Sequence, residues 1–145
     1  MINKKTTMLM TAGALALGGS NEASATSDVP VEAAIRAFVE AGDQRAVEAV
    51  KAATHERFRV AFVMGEAEDV TLLGRDDYLG LLAAKKIGGD DRAVHVLGVE
   101  KAGGLAIARV RLEGRKAVFE GSMTLIRDGE DWKVFQDAVH MRARK

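Results

Sequence analysis

From Asp91 to Met141 apolar and polar positions alternate in four successive runs, DRAVHVLGVEKAG, GLAIARVRLEG, RKAVFEGSMTLIRDG and EDWKVFQDAVHM. Gly103-Gly104, Glu113-Gly114 and Asp128-Gly129 stand between them. A period of two broken by glycine turns predicts a four-stranded antiparallel meander. Ahead of it the period changes. Val31, Ile35, Phe38 and Val39 share one face at helical spacing. Ser27 and Asp28 offer capping oxygens there, Pro30 suits the first turn and Glu32 favours the N-terminal dipole. Gly42 is expected to stop this helix and Asp43 to cap a second, whose apolar positions are Val47, Val50 and Ala53. Phe58, Val60, Phe62 and Met64 then alternate with Arg59, Ala61 and Val63, which predicts a strand. Val70 to Leu73 can pair back on it across the acidic turn Gly65 to Asp69. Asp76 or Asp77 would cap a third helix over Tyr78 to Ala84, ended by Gly88-Gly89.

This order predicts an α+β fold: a cone-shaped, curled antiparallel sheet with three helices from the N-terminal half packed on its concave face, enclosing a pocket. The meander strands are apolar on both faces. In the third, Phe119, Met123 and Leu125 share one face while Val118, Thr124 and Ile126 share the other. An antiparallel sheet with one face in water alternates more cleanly. Either a partner sheet covers part of the convex face, or a strongly curled sheet buries parts of both faces within one chain. The first alternative, a homodimer through the sheet, is the expectation.

Residues 1–25 read differently. Lys4 and Lys5 precede the uncharged TTMLMTAGALALGG, and Ala23-Ser24-Ala25 follows. This three-part pattern is that of a secretory signal peptide cut after Ala25, and a disordered or weakly helical N-terminus of a cytosolic protein is the alternative. The apolar run is shorter than the ~20 residues of a membrane span. The expectation is a periplasmic or secreted protein with no membrane span and a single domain over residues 26–145. Such a mature chain of 120 residues buries roughly two-thirds of its unfolded surface, enough for one core. The absence of cysteine excludes disulfides, thiolate metal sites, thiol nucleophiles and a lipid-modified cysteine. The full chain balances 21 basic against 21 acidic residues, and loss of Lys4, Lys5 and Glu22 leaves a net charge of −1. With no single-sign field, no nucleic-acid partner is expected.

Several segments carry a family resemblance: THERF after the second helix, LLGRDDYLGLL entering the third, LAIARVRL, and FEGSMTLIRDGEDWKVFQDAV. The last contains the most specific pattern, an apolar strand, a charged glycine turn and then Trp-Lys-Val. Over roughly Val29 to Met141 the chain resembles the nuclear transport factor 2-like superfamily, which includes SnoaL-like proteins, and within it most closely the lumazine-binding-like proteins, many of them secreted bacterial proteins. The resemblance implies a cystatin-like α+β cone, usually dimeric, with an internal cavity that holds a small molecule.

The candidate chemistry is sparse. His55, next to Glu56, stands at the start of the first strand, where the resemblance places the mouth of the cavity; it reads as a general base or as an exposed strand-start residue. His95 reads as a cavity group or as a core or interface histidine, and His140 lies near the end of the last strand. No histidine pair has helical or HxH spacing, so no metal is expected. Tyr78 is a pocket hydroxyl or a core aromatic, and Trp132 lines the cavity or fills the cone. Gln136 and Asp137 lie on opposite faces of the last strand, so at most one points inward. Arg59, Arg109 and Arg111 are read as facing solvent, with Glu120 as a partner if one is buried. Ketosteroid isomerases of the superfamily use an aspartate near the first strand and a first-helix tyrosine, and this chain has neither. Dehydratases of the fold use a histidine pair with tyrosines and an acid, which His55, His95 and Tyr78 imitate loosely. No Walker loop, GxGxxG after a strand, GxSxG or HExxH occurs, so no cofactor is expected. Three readings remain: a protein binding a small, partly apolar molecule through Phe62, Tyr78, His95 and Trp132; a small lyase or isomerase using His55, His95 or Asp137; and a dimeric accessory module with a filled cone. The aromatic content of 5% gives a flat heterocycle few stacking surfaces and favours an aliphatic ligand.

Overall fold

The structure, a computed structural model, describes residues 28–66 and 69–144. The signal-peptide reading and the Ser27 cap lie outside those residues. Three stretches form helices: α1 (Val29–Asp43), α2 (Val47–Ala53) and α3 (Arg75–Ala83). The six alternating stretches form strands: β1 (Thr54–Met64), β2 (Asp69–Gly74), β3 (Ala93–Ala102), β4 (Leu105–Glu113), β5 (Ala117–Asp128) and β6 (Asp131–Ala143). They make one curled, unclosed sheet in the order β2-β1-β6-β5-β4-β3. The β1–β2 hairpin and the β3–β6 meander are antiparallel, as their turns predict. The two parts join by β1 lying parallel to β6, a long-range pairing that alternation within a strand does not reveal.

The register gathers the apolar face of each strand into cross-strand rows. Leu112, Phe119 and Met141 form one row, Val110, Gly121 and Val139 the next, and Ala108, Met123 and Asp137 the third. Against them pack Val31, Ile35, Phe38 and Val39 of α1, Val50 of α2, and Tyr78 and Leu82 of α3, all buried in one cluster with Phe58 and Val60. The centre of the cluster is aromatic: the Phe38 and Phe58 rings are 5.6 Å apart, and Tyr78 lies 6.2 Å and 5.4 Å from them. At Gly121 an added Cβ would collide with the Ala138 carbonyl of the next strand, so β5 and β6 approach closely only because this residue has no side chain.

Local expectations fail at the helix ends. α1 does not stop at Gly42, and Asp43 does not cap α2; the N-cap of α2 is Ala46, with no side-chain cap bond. The reversal is made instead by Arg45, at φ 54°, and the Asp43 carboxylate is taken by a stronger donor described below. Similarly, α3 begins at Arg75 after Gly74, so Asp76 and Asp77 lie in its first turn rather than at its cap, still favourable to the helix dipole. Among the described residues no helix is long and apolar enough to cross a membrane.

Candidate functional site

A cavity of about 520 Å³ lies on the concave face, toward the C-terminal ends of β1 and β6. Phe62 and Met64 of β1, Thr71 and Leu73 of β2, Leu112 of β4, Phe119 of β5 and Asp137, Val139 and Met141 of β6 form its sheet side. Tyr78 and Leu81 of α3 and the loop from Lys86 to Arg92 close the other. That loop is tied to the end of α1. Arg45 Nε donates to the Ile87 carbonyl at 2.9 Å, and the Gly89 amide donates to the Asp43 carbonyl at 2.8 Å. Gly88 has φ 82°, and a Cβ there would lie 2.5 Å from the Gly42 carbonyl oxygen, so this crossing of loop over helix requires glycine.

Inside the cavity the charged groups sort themselves. Asp43 Oδ1 accepts from Arg92 Nε at 2.6 Å, and Oδ2 accepts from the Arg92 backbone amide at 2.9 Å. The side chains of this pair are only 13% and 7% exposed for Arg92 and Asp43. The Arg92 guanidinium also sits 4.9 Å over the Phe119 ring, a cation–π contact. Asp43 and Arg92 thus neutralise each other.

Asp137 is different. It is 6% exposed, and its Oδ1 has no hydrogen-bond partner. Val60 and Met123 flank it across the strands. Burial pushes its carboxyl up to about 7, against the opposing pull of the Arg92 charge. Tyr78, whose ring belongs to the aromatic core, also lines the cavity. Its phenol is raised above its ordinary value by burial first and by the Asp137 charge second, with Arg92 opposing and Asp43 adding, so it stays protonated and able to donate. The cavity therefore holds a carboxyl that changes charge near neutrality and a phenol that does not.

Asp137, and not Gln136, faces inward because of a bulge. Leu125 pairs with Val134 but Thr124 pairs with Gln136, so Phe135 is an extra residue on β6. Val134 and Asp137, three apart, both face the core as a result.

Of the residues singled out from the sequence, the fold brings Phe62, Tyr78 and Asp137 together in the cavity. His95 is not among them. It lies on the opposite face of β3, paired with Arg111, its Nε2 3.4 Å from Glu113 Oε1. His55 is also outside: its Nδ1 accepts from the Arg57 amide at 3.0 Å, and its ring meets Phe135 edge-on at 5.6 Å. The cavity lies at the other end of β1, by Met64, which removes the reason for expecting His55 in it. Trp132 packs partly buried against the core without lining the cavity. His140 Nε2 lies 2.8 Å from the Gly65 carbonyl at the β1–β2 turn. Arg59, Arg109 and Arg111 share register with outward positions, as expected of solvent-facing arginines. The reading of single residues missed Asp43, Arg92 and Phe119. Asp43 and Arg92 are 49 residues apart, and the only local signal was an acidic residue at the end of a helix and an arginine ahead of an apolar strand.

Comparison with known proteins places the framework. The structure is similar to that of a nuclear transport factor 2-like protein of unknown function from Silicibacter pomeroyi DSS-3, with a TM-score of 0.65 at 14% identity over 83% of this chain and 98% of the other. It is similar to a "Putative Scytalone Dehydratase" from Novosphingobium aromaticivorans, with a TM-score of 0.63 at 14% identity over 86% and 89%. It is also similar to a ketosteroid isomerase-like protein from Erwinia carotovora atroseptica, with a TM-score of 0.58 at 15% identity over 81% and 95%. At these identities the likeness is one of fold. No curated protein matches the chain. A family model described as "Putative lumazine-binding" matches residues 26–140. The chain belongs to that family, within the nuclear transport factor 2-like and SnoaL-like superfamily.

Proposed function

We propose that the protein holds a small, partly apolar molecule in this cavity, with Asp137 as its polar anchor. The observation that carries this reading is the conjunction of a mostly apolar cavity of about 520 Å³ with a buried carboxyl oxygen that has no partner. Small-molecule sites have this size and this sparse polar lining. An unsatisfied buried polar atom costs about 1–3 kcal/mol, which a ligand donor would offset. Phe119 is covered by Arg92, and the Tyr78 ring packs against Phe38 and Phe58, so Phe62 is the aromatic lining residue left for stacking. That supports an aliphatic ligand over a flat heterocycle.

The three-part pattern of residues 1–25 supports export to the periplasm or the medium, with a mature chain beginning at Thr26. Leu105 and Ile107 are exposed large apolar side chains on one face of β4, and they support pairing of two copies as a homodimer. A second reading, a small lyase or isomerase, is favoured by a carboxyl raised to about 7 beside a protonated phenol. Its acid–base groups would be Asp137 and Tyr78, since neither His55 nor His95 lines the cavity.

Mass spectrometry of the exported protein, native and then after denaturing extraction, tests the main reading. The expected result is a dimer of chains beginning at Thr26 that releases one small molecule per chain. A protein that neither carries a ligand nor takes one up from a metabolite extract would overturn it.

A further inference from the structure

Resting on the binding reading above, we propose that the cavity selects an organic cation: an amine with an apolar body, whose ammonium group sits against the Asp137 carboxylate. The inference comes from counting the charges that face the ligand space. Asp43 has both carboxylate oxygens occupied by Arg92, which is itself held at 2.6 Å and stacked on Phe119. Those two groups hold each other, while the Arg92 charge still reaches Asp137. Tyr78 contributes a neutral phenol. The flanking strands contribute Val60 and Met123, and no charge. Asp90, Lys86 and Lys116 also line the cavity; Asp90 is engaged by the Arg115 amide and guanidinium. Asp43 and Arg92 hold each other, Lys86 and Lys116 stand on connecting segments at the cavity's edge, and Asp137 presents a carboxyl whose Oδ1 has no donor, in a nearly dry, apolar setting.

A buried carboxylate without a partner takes a proton instead of a charge. A ligand that brings a positive charge against the carboxyl adds to the pull of Arg92 and keeps the charged form. An anionic head at this end would meet a like charge, and an alcohol or amide would satisfy the oxygen without using the charge. The ammonium is the one common head group that does both. Arg92 stands nearby with its Nε on Asp43 and its guanidinium over Phe119, and it makes no hydrogen bond to Asp137 Oδ1. Binding of such a ligand releases the Asp137 proton, so affinity depends on pH in a defined direction. With the carboxyl titrating at about 7, affinity for an ammonium rises roughly tenfold per pH unit from 5 toward 7 and then levels off.

Three probes sharing one aliphatic body decide the matter: hexylamine, hexan-1-ol and hexanoate, each titrated calorimetrically into the protein from pH 5 to 8. The expected result is that the amine binds most tightly at pH 8, that its affinity falls at least tenfold by pH 5, and that the alcohol shows no such slope. Asp137→Asn should abolish both the slope and the preference for the amine while retaining the alcohol. An alcohol that binds as well as the amine at pH 8 overturns the cation inference and leaves the binding reading standing. If none of the three binds, the cation inference falls, and the binding reading is decided separately by uptake from a metabolite extract. Circular dichroism verifies the fold of the variant, and if Asp137→Asn does not fold, the three pH series on the native chain decide alone.

Discussion

Asp137→Asn should gain stability relative to the native chain as pH rises from acid to alkaline. In the unfolded chain the Asp137 carboxyl titrates near its ordinary 3.8, and in the fold at about 7. As pH rises, the unfolded state therefore loses this proton first. The stabilising contribution is complete below about pH 4 and is lost as pH rises through about 7. A difference of about three pKa units corresponds to roughly 4 kcal/mol between the two limits, with most of it, about 3–4 kcal/mol, developing between pH 4 and 8. Asparagine is close to isosteric and cannot ionise, so this slope vanishes. Its amide still has to be accommodated, but that cost does not depend on pH and cancels when only the slope is compared. The assay is urea unfolding of both proteins at pH 4, 5, 6, 7 and 8. The stability of the variant relative to the native chain should climb by about 3 kcal/mol or more over this range. A difference that stays constant to within about 0.5 kcal/mol, well inside the reach of linear extrapolation for paired measurements, would refute the reading of Asp137 as a desolvated carboxyl.

Other perturbations test other parts of the structure. Arg92→Met removes one partner of the buried Asp43–Arg92 pair and should cost about 3–5 kcal/mol by urea unfolding, while adding Asp43→Asn to it should recover part of that loss; strict additivity would argue against the pair. Gly121→Ala puts a Cβ against the Ala138 carbonyl and should destabilise by about 1–3 kcal/mol, lowering the melting temperature measured by circular dichroism. If two copies pair through the outer sheet face, Ile107→Lys, at a position 44% exposed, should convert the dimer to a monomer in sedimentation equilibrium; a native chain that sediments as a monomer refutes that pairing.

The strands were legible because alternation is a local property, and each turn was announced by its own glycine. The helices were legible for the same reason: Val31, Ile35, Phe38 and Val39 recur at the period of a helix whatever they pack against. Helix ends were read less well, since a capping oxygen is useful only when nothing better is available to it. Asp43 looks like a cap in sequence, yet Arg92 outcompetes a backbone amide for its carboxylate through charge as well as hydrogen bonding. The parallel contact of β1 with β6 and the loop held over Gly42 are equally remote in sequence. The same remoteness explains the histidines. A histidine between two valines has the same local pattern whether its face looks into a cone or away from it. His95 looks away, and its neighbours there are Arg111 and Glu113.

The position of Asp137 shows how one residue outside the pattern can set the chemistry of the site. Counting by twos from Val134, which faces the core, assigns Gln136 to the interior and Asp137 to the outside. The strand instead accommodates Phe135 as a bulge opposite the step from Thr124 to Leu125, and the phase is reversed from that point to the end of β6. Val139 and Met141 enter the cavity by the same shift, and His140 leaves it. Were Phe135 held in regular register instead of bulged, the cavity would present the neutral amide of Gln136, which has no charge to bury and no proton to release near neutral pH. The bulge therefore turns a carboxyl into the ligand space, and it does so through backbone register while leaving the composition of the strand unchanged. Both proposals for the cavity, an amine anchored by a carboxylate or a proton moved by one, depend on that reversal of phase.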